Sequence, residues 1–199
     1  MKTIVLASGN KGKLAEFDQL FNQHGVSITP QSDFGVTEVA ETGTTFVENA
    51  IIKARHAAKY ANGAVIADDS GIEVDHLQGQ PGIYSARYSG EGASAASNNE
   101  KLLTELNGVS NRKARFQCVL VYMRHEFDPT PIIAQASWEG EIAQSLSGEG
   151  GHGYDPLFIP EDHTESAASM SADAKNAVSH RGKALQQLVA LLKQHGVIN

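Results

Sequence analysis

Thr3-Ile4-Val5-Leu6-Ala7-Ser8-Gly9-Asn10-Lys11-Gly12-Lys13 opens the chain with the pattern from which its architecture can be read. Thr3 to Ala7 is a continuous apolar run of strand length, and a run without alternation predicts a strand buried on both faces. Ser8 to Lys13 is a polar, glycine-containing turn. Beyond it Leu14, Phe17, Leu20 and Phe21 recur at helical spacing until Gly25 stops them. Strand, glycine turn and helix in that order are the start of an α/β fold. The same turn suggests chemistry, because a helix N-terminus offers backbone N–H groups to an anion and Lys13 adds a charge. The spacing matches neither a phosphate-binding Walker loop nor a dinucleotide fingerprint, so an ordinary βα turn is the competing reading.

Working outward, Val26 to Ile28 predicts a second strand, followed by an acidic loop through Glu38 and Glu41. Thr45-Phe46-Val47-Glu48 fits a capping box, and the alanine-rich segment to Tyr60 predicts a helix stopped at Asn62-Gly63. Ala64 to Ala67 is a buried strand expected to end at Asp68-Asp69-Ser70-Gly71. Two adjacent carboxylates at a buried strand end need compensation, and hard oxygen ligands of this kind suit Mg²⁺. Ordinary Asx-turn chemistry with both aspartates solvated is the alternative.

The second half changes character. Asn98 to Leu106 predicts a helix, and Ala114 to Arg124 and Ile132 to Trp138 predict antiparallel strands around Asp128-Pro129-Thr130-Pro131, with Glu139 to Leu146 extending that sheet. His152 and Tyr154 stand in a glycine loop, where rings with no core to fill could stack on a base. Ser179-His180-Arg181-Gly182 precedes an amphipathic helix that runs from Lys183 to His195, with Leu185, Leu188, Leu191 and Leu192 on one face. His180 and Arg181 side by side suit a planar heterocycle bearing an oxo group, although a solvated helix entrance would look the same.

Composition narrows the field. The chain has 199 residues, 41% of them hydrophobic, a formal charge of −7 and one cysteine, Cys118. That apolar fraction supports a packed core. The acidity argues against nucleic-acid backbone binding. A single cysteine excludes an internal disulfide framework and a multi-cysteine metal site, and the eight histidines show no zinc spacing. Ile4 to Ala7 is too short for a signal-peptide core, and Cys118 to Met123 is too short to span a bilayer. A soluble, cytoplasmic protein that engages no membrane is expected.

The motifs Ser8-Gly9-Asn10-Lys11-Gly12-Lys13, Glu41-Thr42-Gly43, Thr45 to Ala50, Ala67-Asp68-Asp69-Ser70-Gly71, Pro81 to Gly90, Gly150 to Phe158 and Ser179 to Leu185 follow one another in a recognisable order. At all of them the chain resembles the inosine/xanthosine triphosphate pyrophosphatase family, the non-canonical purine nucleoside triphosphatases, over nearly its whole length. The resemblance implies one α/β domain over 1–199, elongated and two-lobed, with a long mixed β-sheet and a cleft between the lobes, paired as a homodimer. It implies Mg²⁺-dependent hydrolysis of ITP, dITP or XTP to the monophosphate and pyrophosphate. Glu41, Asp69 and Asp68 would be the metal ligands and Asp69 the general base. Ser8, Gly9, Asn10, Lys11, Gly12, Lys13, Lys53 and Ser70 would hold the phosphates. His152, Gly153, Tyr154 and Asp155 would wall the base, and Lys175, His180 and Arg181 would read it. The family's usual Gly-Gly-Phe-Gly-Tyr-Asp stands here with His152 in place of phenylalanine, and Ala40 replaces a second acid found before Glu41 in many members. A catalytically inert purine-nucleotide sensor would carry the same pocket.

Overall fold

The structure is a computed structural model that describes residues 2–199. Its framework is a six-stranded mixed sheet of β1 (Lys2–Leu6), β2 (Val26–Pro30), β3 (Val65–Val74), β4 (Lys113–Met123), β5 (Ile132–Ile142) and β6 (Phe158–Pro160). The spatial order is β2-β1-β3-β4-β5-β6. β1 pairs in parallel with both β2 and β3, whereas β5 and β6 are antiparallel. The opening run is therefore interior to the sheet, which is why Ile4, Val5 and Leu6 can be uniformly apolar and buried. The helices are α1 (Lys11–Asn22), α2 (Phe46–Ala61), α3 (Ala95–Glu105), α4 (Ala172–Val178) and α5 (His180–Gln194).

Contacts divide the chain into two compact units. Among the described residues, the first comprises 2–69, 118–135 and 184–199, and the second 70–117 and 136–183. In the first, α1 follows β1 because Asn10 caps it, its side chain accepting from the Gly12 and Lys13 N–H groups at 2.9 and 3.1 Å. Phe17 and Phe21, one turn apart, are fully buried, with ring centroids 6.4 Å apart. α2 buries Phe46, Asn49, Ala50, Ala54, Ala57 and Ala61, so small residues form most of its inner face. It ends at Asn62, whose φ of 47° supplies the left-handed cap; the stop anticipated at Asn62-Gly63 rests on the asparagine.

The second unit is built on an aromatic core that includes Phe116, Trp138, Tyr154 and Phe158. Arg112 is buried beside it and compensated in full view of backbone carbonyls. Its guanidinium donates to Ile142, Leu106 and Ala143 oxygens at 2.6, 2.8 and 2.7 Å, which answers the desolvation of a buried charge.

Three local expectations change. β3 does not stop at Asp68 but continues through Asp68-Asp69-Ser70-Gly71 to Val74, so the Asx-turn reading fails. Lysines from distant parts of the chain neutralise the two aspartates and allow the strand to go on. β5 carries on past Trp138 to Ile142, absorbing the start of the segment expected to extend the sheet. α5 begins at His180, which places His180 and Arg181 in its first turn and not before it. Among the described residues no helix is long and apolar enough to cross a membrane.

Candidate active site

In the first unit the sheet and two helices bring lysines and acids together. Lys13, on the first turn of α1, lies 2.7 Å from the Asp68 carboxylate. Lys53, on α2, bridges Asp69 at 2.8 Å and Glu41 at 3.1 Å. Asp68 and Asp69 are 2% and 8% exposed, so each is an ionisable group largely removed from water. Burial pushes the Asp69 carboxyl up, further than the Lys53 ammonium pulls it down, and Glu41 and Asp68 add to the rise. Burial works the other way on Lys53, but attraction to Asp69, Asp68 and Glu41 outweighs it and holds the ammonium above its ordinary value. Asp69 Oδ2 is buried and has no hydrogen-bond partner.

Ser8 and Asn10 shape the turn that delivers Lys13. Ser8 Oγ accepts from the Asn10 N–H at 3.1 Å, and Asn10 Oδ1 takes the Gly12 and Lys13 amides. The expectation of open N–H groups at this helix start is corrected to that extent: an anion there competes with the Asn10 side chain. Gly9, Lys11 and Gly12 are exposed, and Ser70 continues the strand after Asp69.

In the second unit a further constellation forms. Asp155 is 2% exposed. Its Oδ2 accepts from the His152 N–H at 2.5 Å and from the Lys175 ammonium of α4. Gly151 has a φ of 76° and no room for a side chain, since a Cβ would collide with the Asp155 carboxyl. The loop is thus folded around Asp155. Asn99 of α3 holds it from another side, donating to the Gly153 carbonyl at 2.9 Å. The Tyr154 ring lies in the aromatic core and its hydroxyl donates to the Ser85 carbonyl at 2.7 Å. Reading it as a ring with no core to fill is therefore corrected; Tyr154 anchors the loop, while His152 is exposed.

His180 sits in an aromatic box, its ring nearly parallel to Phe116 (centroids 4.7 Å, 11°) and to Trp138 (6.3 Å, 20°). Gly182 lets the start of α5 lie against α4, because a Cβ there would strike the Asn176 carbonyl. The sequence reading singled out neither Asn49, Asn99, Phe116 nor Trp138. A signal existed for Asn49: it is a polar residue at helical spacing on the alanine-rich inner face of α2.

Among the described residues, no group of three or more His, Cys, Asp or Glu side chains is arranged as a metal site. The donor set nonetheless suits a hard cation. Lys53 gathers Glu41 and Asp69 on one ammonium, and Asp69 retains a buried, unpartnered carboxylate oxygen.

The Ham1 family model matches residues 4–191. A mixed sheet framed by helices, whose strand aspartates meet lysines of two helices, is here that of the Ham1 family, and the chain belongs to it. It is 66% identical over 198 residues to the dITP/XTP pyrophosphatase of Shewanella oneidensis, covering 99% of this chain and 97% of that one. It is 58% identical over 201 residues to the dITP/XTP pyrophosphatase of Vibrio vulnificus, covering both in full. The structure of a HAM1 protein from Coxiella burnetii superimposes with a TM-score of 0.94 at 46% identity, over 98% of this chain and 100% of that one.

Proposed function

We propose that this protein is a nucleoside triphosphate pyrophosphohydrolase that converts ITP, dITP and XTP to the monophosphate and pyrophosphate. The observation that carries the reading is the cluster of Glu41, Asp68, Asp69, Lys13 and Lys53 in a chain 66% identical, nearly end to end, to a dITP/XTP pyrophosphatase. In this reading residues 1–199 act as one functional domain, in the cytoplasm, as a homodimer, with a small-molecule substrate and neither nucleic acid nor membrane as partner.

Lys13 and Lys53 exchange their present carboxylate partners for phosphate oxygens, and Ser8 to Gly12 with Ser70 orient the chain of phosphates. Asp69, whose carboxylate burial makes more basic, takes a proton from the water that attacks the α-phosphorus, as the bond from that phosphorus to the bridging oxygen breaks and pyrophosphate leaves. Glu41, Asp68 and Asp69 would hold Mg²⁺, which when bound neutralises charge on the phosphate oxygens. Lys175, His180 and Arg181 read the purine, with His152 and Gly153 forming its wall on the loop that Tyr154 and Asp155 anchor. Hypoxanthine and xanthine carry an oxo group at position 6, and donors aimed there are rewarded. Adenine presents an amino donor at the same place and leaves those groups unpaired.

The test is turnover of dITP, XTP, GTP and ATP with Mg²⁺, with pyrophosphate release as the readout. Release from dITP and XTP at rates at least about 10- to 100-fold above ATP is expected, which corresponds to one buried charge-assisted hydrogen bond of ~1.5–3 kcal/mol. Tight binding of dITP without release would make the protein a nucleotide sensor.

A further inference from the structure

Glu41 lies in an irregular loop, yet its carboxylate meets Lys53 at 3.1 Å. Something must fix the backbone of that loop, because a single ion pair to a flexible segment gives little order. The structure supplies two clamps, both from the start of α2. Glu48 takes the N–H of Thr44 at 2.8 Å and the hydroxyls of Thr44 and Thr45 at 3.0 and 2.9 Å. Asn49, fully buried, accepts the Gly43 N–H on Oδ1 at 2.8 Å. Gly43 is pressed so closely that an added Cβ would lie 2.6 Å from Glu48 Cβ and 2.7 Å from Asn49 Oδ1. Asn49 is one helical turn before Lys53, so the same face of α2 grips Glu41 twice: through the backbone at Gly43 and through the carboxylate.

We infer that Asn49 is a positioning residue for the reaction: it fixes the Glu41-Thr42-Gly43 loop so that Glu41 stands beside Asp69. A buried amide is costly here, since Asn49 Nδ2 has no partner. An apolar residue at this place would leave the Gly43 N–H without its acceptor, so the amide is kept for its hold on the loop that carries Glu41. The inference rests on the assignment of Glu41 to the catalytic site.

The test is a double-mutant cycle of Asn49→Ala with Glu41→Gln. It reads kcat and KM for dITP and, separately, Mn²⁺ affinity by electron paramagnetic resonance without nucleotide. Asn49→Ala is expected to lower kcat and weaken Mn²⁺ binding by about 10–100-fold, the usual cost of removing a group that orients a ligand. KM should stay within a few-fold. In the Glu41→Gln background the same change should add little. Gly43→Ala attacks the same contact from the loop side and should reproduce the phenotype, which keeps the test intact if Asn49→Ala does not fold. A full, additive loss in the Glu41→Gln background, or wild-type Mn²⁺ affinity in a folded Asn49→Ala protein, would overturn the inference. Wild-type behaviour of Glu41→Gln itself would instead overturn the assignment of Glu41.

Discussion

Asp69 stands on a strand where water scarcely reaches, paired through one oxygen with Lys53 and unpartnered at the other. That asymmetry suits the proposed role, in which Asp69 sits beside a cation and accepts a proton. Asp69→Asn preserves shape and removes both capacities. Turnover of dITP should fall by about 10²–10⁴-fold, the usual worth of a positioned general base, with a thermal midpoint at or above that of wild type, because a buried charge is relieved. Steady-state kinetics and a melting curve check both halves. The pairing that makes Asp69 tolerable was hidden from the sequence. Lys13 and Lys53 lie 55 and 16 residues from their carboxylates, and local reading of Asp-Asp-Ser-Gly gives a turn. Glu41, Asp68 and Asp69 could be chosen as candidates by residue type and motif order, but not as partners of these lysines.

Elements divide by how local their determinants are. The β1-turn-α1 unit was legible because an unbroken apolar run, a polar turn and a helical period stand side by side. α5 was legible from its leucines, of which Leu185, Leu188 and Leu192 are buried. β3 was not, since its length depends on charge compensation from other elements. α4 is short, and only Ser171, whose side chain accepts from the Ala174 N–H at 3.3 Å, marks its start. The β4–β5 connection is held by Asp128, which is 1% exposed and accepts from the Arg124 backbone and guanidinium and from the Thr130 N–H. The hydrogen bonds from Arg124 hold the Asp128 carboxyl well below the usual carboxylate range, against the upward push of burial. A depressed carboxyl stabilises the fold in full above its unfolded value of about 3.9. That contribution fades as pH falls below this value toward the folded one. Asp128→Ala should therefore lower the urea midpoint at pH 7, and the gap from wild type should narrow at pH 3. A gap that widens on acidification would contradict the assignment.

At the scale of the whole molecule, the two units carry different chemistry. The first gathers lysines and acids around Asp68 and Asp69, and the second folds a glycine loop around Asp155 and packs aromatic rings around His180. With a net charge of −7, the proposed polyanionic substrate would settle its phosphates on the few lysines of the first unit. In the proposed reaction water attacks the α-phosphorus and pyrophosphate departs as one piece. Hydrolysis of dITP in ¹⁸O-labelled water, with mass analysis of both products under single-turnover conditions, locates the bond that breaks. The label should appear in the nucleoside monophosphate, with unlabelled pyrophosphate. Label in pyrophosphate, or release of the nucleoside diphosphate with labelled inorganic phosphate, would contradict the account.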